Sequence, residues 1–125
     1  MSSPTAAAGR SPFQTWLTVV VWAGVIFAFS SVPSLSTELG TWDTILRKLA
    51  HLAEYAILGG LLDRALRRPQ LVVAVALAGL YAVTDEVHQL FVEGRHGSPL
   101  DVGIDTLGAL LGVVLWRRVR REPAP

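Results

Sequence analysis

"LVVAVALAGLYAVTDEVHQL", Leu71 to Leu90, decides the fold. Its first part is pure hydrocarbon apart from one glycine and one tyrosine. It then sets down Asp85, Glu86, His88 and Gln89 without a break. A membrane-spanning helix needs about 20 mainly apolar residues. This span reaches that length only if the polar cluster belongs to the helix.

The rest of the chain supports a membrane reading. Hydrophobic residues make up 51% of the 125 positions, more than an ordinary soluble domain of this size carries. "FQTWLTVVVWAGVIFAFSSV", Phe13 to Val32, is uncharged and long enough to cross. Its apolar core is too long for a cleaved signal peptide, and no A-x-A-like site closes it. Two further spans are weaker. Leu49 to Leu66 contains His51, Glu54 and Asp63; Val102 to Trp116 is short and contains Asp105. Helices are expected at about 13–33, 47–66, 70–91 and 101–118, with Pro33 and Pro69 at boundaries and Pro99 just ahead of the fourth. The expected fold is an all-α bundle of four transmembrane helices, residues 13–118, between a small polar tail (1–12) and a basic, proline-containing tail (119–125). Cysteine is absent, which excludes disulfides, thiolate metal sites and a cysteine nucleophile.

Charge placement sets the expected orientation. Arg10, Arg64, Arg67, Arg68, Arg117, Arg118, Arg120 and Arg121 fall on one side if both termini lie there; only Arg47, Lys48 and Arg95 fall on the other. The positive-inside rule then places both termini in the cytoplasm of a multi-pass membrane protein. Glu54, Asp85, Glu86, Asp101, Asp105 and all three histidines go to the outer side.

Ionisable groups inside a membrane helix cost several kcal/mol unless they face protein, water or each other. At 100° per residue, Lys48, His51 and Tyr55 share a stripe with Glu54 at its edge. Tyr81, Thr84, Asp85, His88 and Gln89 share another, with Glu86 to one side. Asp101 and Asp105 are one turn apart, followed by "GALLG", whose Gly108 and Gly112 allow close helix approach. Three stripes at one depth are most economically explained by a shared polar pocket opening outward. The alternative is a hydrogen-bonded network that only holds the helices together.

"KLAHLAEYAILGGLL" (48–62) and "YAVTDEVHQLFVEGRHGSPLDVGIDTLGALLG" (81–112) resemble the VanZ-like family of bacterial membrane proteins. The resemblance runs from about Asp43 to Gly112; the first helix fits by position and hydropathy. The family positions are Lys48, His51, Tyr55, Asp85, Glu86, Gln89, Arg95 and Asp101, with "TLGALLG". Asp105 departs from the pattern, since many members carry Asn there. The resemblance implies a link to glycopeptide resistance, through teicoplanin for the founding member, but no settled molecular activity.

The residues themselves suggest three activities. In an enzyme, His51, Glu54, Asp85, Glu86 and His88 supply acid–base groups, while Lys48, Tyr55, Gln89, Arg95, Asp101 and Asp105 hold the substrate. Lys48 and Arg95 suit a phosphate, and Asp85, Glu86, Asp101 and Asp105 suit a divalent cation bridging to it. The substrate would be a phospholipid or a lipid-linked envelope precursor. A small proton- or ion-linked transporter is the second reading, with Asp63 as its only inner continuation. A non-catalytic ligand-binding envelope protein is the third. The expected partners are the bilayer and a second copy of the chain through Gly108 and Gly112; no nucleic acid is expected. There is no H-E-x-x-H, nucleophile elbow or P-loop to single out one reaction.

Overall fold

The computed structural model describes residues 11–31, 41–66, 70–92 and 98–121. They form four helices: α1 (Pro12–Ser30), α2 (Thr41–Ala65), α3 (Leu71–Gln89) and α4 (Pro99–Arg121). Each overlaps one expected helix.

The differences lie at the ends. Ser11 caps α1: its hydroxyl accepts from the Gln14 N–H at 3.2 Å, and the Gln14 amide oxygen accepts from the Ser11 N–H at 3.2 Å. Pro12 then occupies a first-turn position, where its missing N–H costs nothing. Both residues fall within the expected polar tail, 1–12. α2 begins six residues earlier than the apolar spacing suggested, with Trp42, Ile45 and Leu46 exposed along its first turns. α4 begins at Pro99, where the Leu100 N–H donates to the Ser98 hydroxyl, and it continues through residues 119–121.

Three of the helices, α1, α3 and α4, are long and apolar enough to cross a membrane. At 25 residues α2 is longer than any of them, about 37 Å at 1.5 Å per residue. Its hydropathy is lowered by Arg47, Lys48, His51 and Glu54 towards one end and by Asp63 and Arg64 at the other. The stretch between them, Tyr55 to Leu62, is apolar.

Alanines line much of the core, which also holds Tyr55, Ile26 and Leu58, while large apolar residues cover the outside. Ala74, Ala78, Ala82 and Ala109 are fully buried, whereas Phe13, Val20, Val72, Leu80, Leu100 and Val119 are each more than 60% exposed. Small residues inside let helix backbones approach, and large apolar residues outside suit a lipid surround. α2 touches all three other helices and packs most extensively on α4. Glycines permit that contact. A Cβ at Gly112 would fall on the Ala56 carbonyl, one at Gly59 on the Ala109 carbonyl, and one at Gly108 would lie 2.7 Å from the Leu52 carbonyl oxygen. Within the chain, the Gly108 and Gly112 positions lie against Leu52 and Ala56 of α2.

Polar contacts mark the two ends of the bundle. At one end the Arg64 guanidinium donates to the Thr18 hydroxyl at 2.9 Å, and Arg117 donates to both Asp63 oxygens, at 2.8 and 3.2 Å. At the other end, α2, α3 and α4 bring together the residues expected to form the site.

Candidate functional site

Two polar contacts at this end join α2 to α4. Lys48 Nζ lies 3.2 Å from Asp101 Oδ1, joining the start of α2 to the start of α4 at a half-exposed position. His51 Nδ1 lies 3.4 Å from Asp105 Oδ1, one turn deeper on both helices, in contact but not aligned for a hydrogen bond. The i, i+3/i+4 spacing of these residues produces the ladder: two adjacent turns of α2 meet two adjacent turns of α4.

α3 closes the third side. The Tyr55 hydroxyl donates to Asp85 Oδ2 at 3.1 Å, and both residues are buried. The Tyr55 ring lies between those of His51 and Tyr81, with centroids 6.4 and 6.2 Å away. His51, Asp85 and Asp105 each present one potential ligand atom, and these atoms all lie within 4.8 Å of one another. Asp105 is wholly buried, and among the described residues both its carboxylate oxygens lack a hydrogen-bond partner; Asp85 Oδ1 and Gln89 Nε2 are likewise buried and unpartnered.

The other expected site residues are dispersed around this cluster. Glu86 is buried against the start of α4, where one oxygen accepts from the Ser98 N–H at 2.9 Å and the other lacks a partner. It also lines a hollow of about 370 Å³ between α3 and α4, whose remaining wall is mainly Val83, Val87, Leu90 and Val102. His88 does not share the Asp85 face. Its Nε2 lies 2.9 Å from the Ser31 hydroxyl and its ring stacks on Phe27, so it faces α1. Tyr81 likewise donates to the Ala23 carbonyl of α1, and Thr84 is exposed with its hydroxyl bonded back to the Tyr81 carbonyl. The expected five-residue stripe of α3 is thus divided, with only Asp85 and Gln89 buried inward. Glu54 is half-buried, and its backbone carbonyl accepts from the Trp22 indole at 2.9 Å. Arg95 lies outside the described residues. Asp101, expected among the cation ligands, is instead paired with Lys48.

The sequence reading did not assign the α1 contacts of Trp22, Phe27 and Ser31, or the Asp63–Arg117 pair. A tryptophan and serines in an uncharged span carry no periodic signal, because one polar group per turn is satisfied equally well by its own helix. The Asp63–Arg117 pair had a signal in two opposite charges at matching distances from two helix ends.

An all-α chain with three membrane-length apolar helices, small residues inside and large ones outside is a small helical membrane protein. The chain belongs to the VanZ/LLP1 family, whose model matches residues 10–120. No curated protein and no solved structure matches it.

Proposed function

We propose that this VanZ-family chain crosses the membrane four times with both termini inside, and that the polar end described above faces outward. There it binds a phosphate-bearing lipid or lipid-linked envelope precursor. Through that ligand it would alter how a glycopeptide such as teicoplanin meets the cell envelope. The orientation follows from the arginines: Arg64, Arg117, Arg118 and Arg120 gather at the end away from the cluster.

The observation that carries the binding reading is an apolar hollow at the same end of the bundle as the Lys48–Asp101 pair. The hollow between α3 and α4 is lined by Val83, Val87, Leu90 and Val102, a surface suited to hydrocarbon, and Glu86 stands in its wall. Lys48, 44% exposed and paired with Asp101 at 3.2 Å, lies outside the hollow's lining and would exchange that carboxylate for a phosphate. A proton relay is less well supported. Asp63, its inner continuation, is held by Arg117 at 2.8 Å, and the α2 segment from Ala56 to Leu62 between it and the cluster is apolar.

The test uses protein in phosphatidylcholine nanodiscs, titrated with a polyprenyl monophosphate and with the matching polyprenol, and read by native mass spectrometry. The phosphate should be retained and the alcohol not. Lys48→Ala should weaken retention about tenfold, the value of one charge-assisted hydrogen bond. Equal retention of both lipids would dismiss the reading. Conversion of the phosphate to the alcohol in the same spectra would make the chain an enzyme.

A further inference from the structure

We infer that His51, Asp85 and Asp105 form a binding site for a divalent transition-metal cation. The inference goes beyond the lipid reading and stands without it.

Placement comes first. One ligand arises from each of α2, α3 and α4, and the three donor atoms lie within 4.8 Å of one another. Metal–ligand distances near 2.0–2.2 Å put donors of one ion roughly 3–3.5 Å apart, so modest side-chain rotation closes the set.

Unmet polar groups come second, and they are independent of placement. Asp105 is 0% exposed and neither of its oxygens has a hydrogen-bond partner. Buried carboxylates of this kind are strongly unfavourable without a counter-charge. Among the described residues one imidazole faces the two carboxylates, which leaves negative charge uncancelled there, and Lys48, the ammonium on the next turn of α2, is turned to Asp101. A dication balances two carboxylates.

The division of the Asp85 oxygens fits as well. Tyr55 donates to Oδ2, which fixes the carboxylate and leaves Oδ1, buried and unpartnered, for the ion. An outer hydroxyl that orients a ligand is a regular feature of metal sites. Gln89, one turn beyond Asp85 on α3, also has a buried amide nitrogen without a partner among the described residues.

Ligand chemistry selects the ion class. One imidazole nitrogen and two carboxylate oxygens suit Zn²⁺, Mn²⁺ or Fe²⁺; calcium calls for six or more oxygens, and magnesium for a hydrated octahedral site.

The full chain, stripped with chelator in detergent and desalted, is loaded with Zn²⁺, desalted again and measured by elemental analysis. Near-stoichiometric zinc is expected. Asp105→Asn, which keeps the side-chain shape, and His51→Ala should each lower affinity by at least about a hundredfold, and Tyr55→Phe by about tenfold as an orienting group. Lys48→Ala should retain the zinc. Co²⁺ bound to the unaltered protein should give ligand-field bands, which keeps the test decisive if a variant fails to fold. Absence of both stoichiometric zinc and a cobalt spectrum in the unaltered protein overturns the inference, as does full zinc retention by folded Asp105→Asn and His51→Ala. Polyprenyl phosphate binding measured in chelator is scored separately: its survival in a protein that takes no metal would refute this inference and leave the lipid reading standing.

Discussion

Gly112→Ala tests the packing that holds the cluster together. The added Cβ would fall on the Ala56 carbonyl and 2.6 Å from its Cα. Both obstacles are backbone, so no rotamer change relieves them; α2 and α4 must part by roughly 1.5 Å to restore ordinary contact. Overpacking of this kind costs about 1–3 kcal/mol, and backbone against backbone belongs at the upper end. Alanine's helix preference returns at most about 1 kcal/mol. Gly24→Ala isolates that gain, because a Cβ there has nothing within 4 Å. The two variants should therefore differ by about 3 kcal/mol in reversible unfolding from mixed micelles, with Gly112→Ala the weaker. Gly108→Ala should fall between them: its Cβ would meet the Leu52 carbonyl oxygen at 2.7 Å, a lesser overlap. The effect should reach the site, since Asp105 lies just ahead of both glycines on α4 and its 3.4 Å approach to His51 depends on the same contact. Equal stability of Gly112→Ala and Gly24→Ala would show that glycine does not set the α2–α4 spacing.

Other predictions concern single contacts. Asp63→Ala leaves Arg117 without its partner and should cost about 3 kcal/mol in the same unfolding assay, while Asp63→Leu with Arg117→Met should recover most of it; additive losses in the double variant would contradict a coupled pair. Tyr55→Phe removes the buried bond to Asp85 and should destabilise by about 1–3 kcal/mol. Ser11→Ala should cost about 1 kcal/mol by removing the α1 cap, visible as faster amide exchange in the first turn alone.

Hydrophobic run length made α1 and α3 legible, since a membrane helix must satisfy its backbone internally over a fixed thickness; the shorter, charge-interrupted runs of α2 and α4 gave a weaker signal. Helix ends were less legible: Ser11–Pro12 and Ser98–Pro99 are capping signals masked by their polar surroundings. The cluster was half legible. Periodicity put Lys48 and His51 on one stripe and Asp101 and Asp105 on another, and those stripes meet. It could not divide the α3 stripe, because helical spacing gives a side chain's angle on its own helix and not which neighbour occupies that direction. α1 takes His88 and Tyr81, and α4 takes Glu86. The pairing of Gly108 and Gly112 with α2 was hidden for the same reason: a small-residue face shows that a helix packs there, without saying whose.

Everything proposed for the ligand depends on which side of the membrane the cluster faces. The chain has no cysteine, so a single introduced thiol reports its own position. Phe91→Cys places one beyond α3 at the cluster end, where Phe91 is 84% exposed, and Arg120→Cys places one near the end of α4 at the arginine end. With a membrane-impermeant maleimide on intact cells, the cysteine at 91 should be labelled, and the one at 120 only after permeabilisation. Labelling at 120 with protection at 91 would put the cluster inside and contradict an envelope ligand.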